Sequence, residues 1–231
     1  MSAIVSPELR ARVRGIAVPI ALALGRLGLT PNALTVIGFG IAVVAALAAA
    51  NQLWVAAALL VIFGGIFDLF DGALARATNR VSRVGAFLDS VFDRAGEAIL
   101  FIGIAWACVR AGFQPGAILA ATAMAGSFMV SYTRAKSESL GFTPGTGMAN
   151  IGLAPREVRL VIVTVGLLAT GAAGGIVTPI TVAGLTDLSW WAGRPVLGAT
   201  LGLVAVLATI TTLQRILHVI RQPQPSSEEH E

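Results

Sequence analysis

Long apolar runs separated by short polar turns make up most of the chain, and four aspartates gather where two of those runs meet. The runs cover roughly 33–50, 54–74, 85–109, 115–133, 158–179 and 197–219. Most exceed the ~18–20 residues that a helix needs to cross a bilayer. They predict an all-α integral membrane protein with six transmembrane helices. Ahead of them, Leu9, Val13, Ile16, Ile20, Leu24 and Leu27 recur at steps of three and four, with arginines on the other side. That spacing predicts an amphipathic helix over 7–28 lying in the headgroup region, kinked at Pro19. A short extra span or re-entrant piece over 15–29 is the alternative. The chain then divides into an interfacial segment, 1–30, a six-helix membrane domain, 31–220, and a tail, 221–231. The tail, "RQPQPSSEEHE", is polar and carries prolines, so disorder is expected.

Composition supports this division. Hydrophobic residues are 56% and charged residues 12% of the chain, about half the charge of a soluble domain. The basic residues are unevenly placed. Arg10, Arg12, Arg14 and Arg26 precede the first span, and Arg76, Arg80 and Arg83 lie between the second and third. Arg134, Lys136, Arg156 and Arg159 lie between the fourth and fifth, and Arg215 and Arg221 close the chain. The other connections carry only Arg110 and Arg194. The positive-inside rule places both termini and the basic loops in the cytoplasm, for a multi-pass protein of the inner (cytoplasmic) membrane. The pI near 10.5 then reflects orientation and anionic lipid, and no nucleic-acid partner is expected. Cys108 is the one cysteine, so no disulfide forms within the chain, and His218 and His230 lack neighbours for a zinc site. Glycine- and alanine-rich faces in the last three spans suit a homodimer.

The acids need a separate account. Within "FGGIFDLFDGALARATNRVSRVGAFLDSVFDRAGEAI", Asp68 and Asp71 share one helix face, and Asp89 and Asp93 share a face of the next helix. The short connection predicts antiparallel neighbours, so both pairs converge at the cytoplasmic end. Carboxylates at membrane depth are costly unless paired. Divalent metal ions resolve the repulsion, and an all-oxygen ligand set suits Mg2+, Mn2+ or Ca2+. Gly72, Ala73, Ala75 and Gly85 leave room for close approach of a ligand. Arg76 and Ser82 or Arg83 are placed to meet phosphate oxygens. A salt-bridge cluster with Arg76 and Arg94 is the bland alternative. A divalent-cation transporter would spread its acids along a path through the bilayer, whereas these cluster beside arginines.

The pattern D-x-x-D-G-x-x-A-R, eight residues, then G-x-x-x-D-x-x-x-D reads Asp68, Asp71, Gly72, Ala75, Arg76, Gly85, Asp89, Asp93. It resembles the signature of the CDP-alcohol phosphotransferases, and "LTPNALTVIGF" resembles their approach to the first span. Prenyl-transfer membrane enzymes also use two aspartate motifs, but the D-G and A-R frame separates them. The resemblance implies transfer of a phosphatidyl group from a CDP-linked lipid such as CDP-diacylglycerol to an alcohol, with release of CMP. It implies that Asp68, Asp71 and Asp89, with Asp93 beside them, hold two metal ions, and that Asp93 is the general base. It also implies a donor site formed by Asp68, Asp71, Gly72, Ala75, Arg76 and Gly85.

The signature is silent on the acceptor. Ser82, Arg134, Lys136, Arg156, Arg159 and Arg215 offer cations and a hydroxyl near the cytoplasmic end, which suits an anionic alcohol. Orientation and lipid headgroups are the alternative reading of these arginines. "SYTRAKSESLG", "GLAPREVRL" and "TTLQRIL" resemble segments of the actinobacterial and archaeal inositol-phosphate-using members, although "APREVRL" has no acid before its first arginine. The resemblance implies inositol 1-phosphate, with glycerol 3-phosphate, as in phosphatidylglycerolphosphate synthases, the runner-up.

Overall fold

The computed structural model describes residues 7–142, 151–176 and 193–222. Seven α-helices make up the described residues: α1 (Pro7–Arg26), α2 (Pro31–Ala50), α3 (Trp54–Ala77), α4 (Arg83–Arg110), α5 (Gln114–Ser139), α6 (Arg156–Ala172) and α7 (Gly193–Ile220). Four of them, α2, α3, α5 and α7, are long and apolar enough to cross a membrane. The first half of α4 carries Arg83, Asp89, Asp93 and Arg94, with Glu97 just beyond it, and α6 has 17 residues, opening on Arg156, Glu157 and Arg159.

Helix starts follow the local chemistry. Thr30 caps α2 by accepting from Ala33 N at 3.1 Å, with Pro31 in the first turn, where its missing N–H costs nothing. Ser82 caps α4 by accepting from Gly85 N at 2.9 Å. The helices extend beyond several expected spans. α3 runs on through Arg76, and α5 runs six residues past 133, so Arg134 and Lys136 are helical. The fifth span is shorter than expected. It stops at Ala172 rather than 179, because Gly174 and Gly175 take φ +87 and +83, a conformation that ends a helix. Residues 177–179 lie outside the described residues, as does all of the predicted tail beyond Gln222.

The helices close into a ring. α2 packs on α3, α3 on α6, α6 on α7, α7 on α5, α5 on α4, and α4 on α2. α1 lies outside, against α3. The expected pairing of α3 with α4 is corrected: both pack on α2 instead, which leaves a cleft between them. Small residues bring α4 close to α2. A Cβ at Gly103 would fall on the Ala46 carbonyl, and one at Gly96 would lie 3.1 Å from Ala42 Cβ. Ala45, Ala49, Ala57, Phe101, Ile104, Leu167 and Leu201 form the core in the half away from the aspartates.

α1 runs unbroken through Pro19. Its inward face is Ala17 and Ala21, packed with Leu34, Ala73 and Leu74. Ile16, Ile20 and Leu27, read as one stripe with Leu24, are 66%, 41% and 80% exposed. Ile16 and Ile20 of α1 therefore face away from the protein, while Val18, Leu22 and Leu24 pack partly buried beside Ala17 and Ala21.

Candidate active site

The cleft between α3 and α4 holds the four aspartates. From α3, Asp71 is buried and accepts a 2.7 Å hydrogen bond from Thr35 Oγ1 of α2. Asp68, one turn earlier, accepts from both terminal nitrogens of Arg156, at 3.2 and 3.3 Å. From α4, Asp93 pairs with Arg156 at 2.7 Å and with its neighbour Arg94 at 3.2 Å. One guanidinium from α6 thus bridges a carboxylate of α3 and a carboxylate of α4.

Three cavities meet at these acids. The first, of about 270 Å3, is lined by Asp71, Gly72, Ala75, Arg76, Gly85 and Asp89, together with Asn32, Thr35, Arg80 and Ser82. The expected donor residues therefore stand together, except Asp68. Two glycines sit in close approach: a Cβ at Gly72 would lie 3.2 Å from Arg76 Nη1, and one at Gly85 would lie 3.0 Å from Ser82 Oγ, so either side chain would have to shift. The second is a narrow apolar slot of about 50 Å3 running from Asp68 and Asp93 past Phe39, Phe92 and Leu60. The rings of Phe39 and Phe92 stack there at 4.9 Å.

The third cavity, of about 770 Å3, opens beside Asp89 and Asp93. Arg134, Arg156, Arg159 and Arg215 all line it, with Arg94, Ser131, Tyr132, Glu138 and Glu157. Two expected members are elsewhere. Ser82 lines the first cavity, where its hydroxyl caps α4. Lys136 is exposed and is not part of the wall. The helical repeat explains this: Ser131, Arg134, Ala135 and Glu138 share one face of α5, and position 136 falls off it.

The arginines differ in how far they are committed. Arg159, 1% exposed, gives Nε and Nη2 to the two oxygens of Glu97 at 2.8 Å each, and Nη1 to the Ala154 carbonyl. Arg134 pairs with Glu138 at the rim at 2.8 Å. Arg215 is 3% exposed, and its hydrogen-bond partners among the described residues are the carbonyls of Ile151 and Val130. Among the described residues no carboxylate is in ion-pair contact with it, so the cavity wall carries a buried cation that an anionic ligand would pair.

Sequence reasoning missed Thr35, Glu97 and Ser131. Ser131 accepts from Arg94 Nε at 2.9 Å. Thr35 lies within a quoted segment that had been given no role. Glu97 lies one turn after Asp93 on the same face, the one signal that could have marked it.

Among the described residues, no three acids stand close enough to hold one metal ion as they are placed. The expected convergence on a common point is therefore looser than four carboxylates around one ion. The donor set nonetheless fits a hard divalent cation: all the ligand atoms are oxygens on two facing helices, and a guanidinium already stands as the cation between two of them.

Comparison with known proteins bears on this geometry. The family model for CDP-alcohol phosphatidyltransferase matches residues 28–220. The chain is 33% identical over 209 residues to the archaetidylinositol phosphate synthase of Pyrococcus horikoshii, covering 90% of this chain and 93% of that protein. The crystal structure of Mycobacterium tuberculosis phosphatidylinositol phosphate synthase with CDP-DAG bound superposes with a TM-score of 0.74 at 30% identity, covering 90% of this chain and 95% of that one. The same enzyme in complex with manganese and citrate gives a TM-score of 0.72, at 30% identity and 90% coverage of both chains.

Proposed function

Because the chain belongs to the CDP-alcohol phosphatidyltransferase family, we propose that it transfers a phosphatidyl group from CDP-diacylglycerol to the hydroxyl of inositol 1-phosphate. In this reaction the acceptor hydroxyl oxygen attacks the phosphorus that carries the diacylglycerol. The bond from that phosphorus to CMP breaks, and CMP leaves with the electron pair. Asp93 takes the hydroxyl proton as general base. The first cavity, with Gly72, Ala75, Arg76 and Gly85, receives the cytidine diphosphate of the donor. Asp68, Asp71, Asp89 and Asp93 hold two Mg2+ or Mn2+ ions. Bound there, the ions supply charge neutralisation for the diphosphate and the leaving CMP. Thr35 fixes the rotamer of Asp71 from behind.

The acceptor enters the third cavity. The observation that carries this assignment is Arg215, a buried guanidinium bonded, among the described residues, to two carbonyls and no carboxylate, at a wall shared with Arg134 and Arg156. A phosphate supplies the missing negative charge. The names of the similar synthases support an inositol phosphate acceptor. A cavity of about 770 Å3 also leaves room for a ring beyond what glycerol 3-phosphate fills.

α4 and α6 complete six spans with α2, α3, α5 and α7, with both termini and the aspartates on the cytoplasmic side of the inner membrane. α1 lies in the interface, with Ile16, Ile20 and Leu27 turned to lipid. The protein acts as a homodimer. CMP release by the purified protein, with CDP-diacylglycerol and Mg2+, tests the reaction across inositol 1-phosphate, glycerol 3-phosphate, inositol and serine. Release with inositol 1-phosphate alone is expected. Release only with glycerol 3-phosphate would reassign the acceptor, and release with none would overturn the reaction.

A further inference from the structure

We propose that Glu97 and Arg159 are positioning residues that fix the register of α6 across the ring and so set Arg156 at the reacting end of the acceptor cavity. α4 and α6 are not neighbours in the ring. What joins them is a two-rung ladder of ion pairs through its interior. The outer rung is Asp93 with Arg156, at 2.7 Å. The inner rung is Glu97 with Arg159, at 2.8 Å. Asp93 and Glu97 are four residues apart on α4, and Arg156 and Arg159 are three apart on α6, so each helix presents both rungs on one face.

The rungs have different burial. Side chains of the inner pair are 1% and 5% exposed, and those of the outer pair are 23% and 17% exposed. The inner pair is bidentate, with every carboxylate oxygen engaged. Its third bond reaches the turn before α6: Arg159 Nη1 donates to the Ala154 carbonyl. The Ala154 N–H donates to Thr211 Oγ1 of α7 at 3.0 Å. The turn that delivers Arg156 is therefore clamped between α4 and α7 by the guanidinium of Arg159. A buried ion pair adds little stability over a well-packed apolar pair. Its geometry, two parallel N–H···O bonds in a fixed plane, constrains rotation and axial position, which dispersion contacts do not. Each nitrogen of the Arg159 guanidinium already donates to a protein partner, Glu97 or the Ala154 carbonyl, so its effect on the acceptor is argued through Arg156.

The inference rests on reading the third cavity as the acceptor site. Its test is a kinetic split. CMP release is measured for wild type, Glu97→Gln, Arg159→Lys and the double variant Glu97→Leu with Arg159→Leu, and the donor and acceptor concentrations are varied separately. The expected result for Glu97→Gln is a loss of about 10²-fold in acceptor kcat/KM, with the CDP-lipid KM within about twofold of wild type. The double variant keeps a wild-type melting temperature and shows the same acceptor-specific loss, and Arg159→Lys loses less than either. Acceptor kinetics unchanged in the double variant would overturn the proposal, as would donor and acceptor KM rising together. If Glu97→Gln does not fold, the double variant carries the same split. The variants are compared using whichever acceptor the wild type accepts. A wrong acceptor assignment therefore appears in the wild type, and a wrong positioning role appears only between wild type and variants.

Discussion

At the scale of the residue, the site separates groups that do chemistry from groups that hold them. Asp93 has two cationic partners and lines both the apolar slot and the acceptor cavity. Asp93→Asn keeps the shape and removes the base. Turnover is expected to fall by about 10²–10⁴-fold, with CDP-lipid binding near wild type by equilibrium titration. Near-normal turnover would remove Asp93 from the base role. Thr35 makes a different prediction. Its hydroxyl donates to buried Asp71, so Thr35→Val strips that support while leaving all four aspartates in place. The affinity for Mn2+, read by its paramagnetic resonance, is expected to weaken about tenfold or more; an unchanged affinity would make Thr35 a packing residue only. The four aspartates were legible in the sequence because their spacing is local, set by positions on one helix and the start of the next. Thr35 and Glu97 were not, because their partners lie 36 and 62 residues away along the chain. Arg159 was legible as a cation but not as a committed one, since only the fold brings Glu97 to it.

At the scale of the element, apolar periodicity located every helix, and its errors were at the ends and in the neighbours. The expected end of the fifth span ran on to 179 because glycine and alanine are apolar enough to extend the pattern, while Gly174 and Gly175 take the positive φ that stops it. The pairing of α3 with α4 was inferred from a short connection. It failed because both helices have a better surface in α2, whose small residues accept them closely. That displacement opens the cleft in which the aspartates face one another. Two glycines test this packing with opposite signs. At Gly103 a Cβ meets the Ala46 backbone, so Gly103→Ala must push α4 from α2 and is expected to cost about 1–3 kcal/mol. At Gly40, exposed on α2, a Cβ meets nothing within 4 Å. Gly40→Ala is expected to be neutral or to stabilise by up to about 1 kcal/mol through backbone entropy. Melting temperatures in one detergent check the pair, and equal shifts would mean that close approach at Gly103 does not hold the helices.

At the scale of the whole molecule, the ring has a polar end and an apolar end. The acids, the three cavities and most arginines lie at the first, and the core of Phe101, Ile104, Leu167 and Leu201 fills the second. Arg194 belongs to the second end, where it donates to the carbonyls of Ile176 and Ala111. A polar end that takes a water-borne acceptor must face the compartment that supplies it, and the donor must reach the same depth from the lipid. In the orientation proposed from the bias of basic residues, that compartment is the cytoplasm. Cysteine labelling tests the assignment directly, because Cys108 is buried and can be replaced by alanine to give a silent background. Arg80 and Gln114 are both exposed, the first between α3 and α4 and the second at the start of α5. α4 separates them, so a membrane-impermeant maleimide should reach Gln114→Cys in intact cells and Arg80→Cys only after the cytoplasmic face is opened. Labelling of both from the same side would mean that α4, with its four charges in the first half, does not cross the bilayer. The reverse pattern would keep the six-span ring and turn the catalytic end outward, away from a cytoplasmic supply of acceptor.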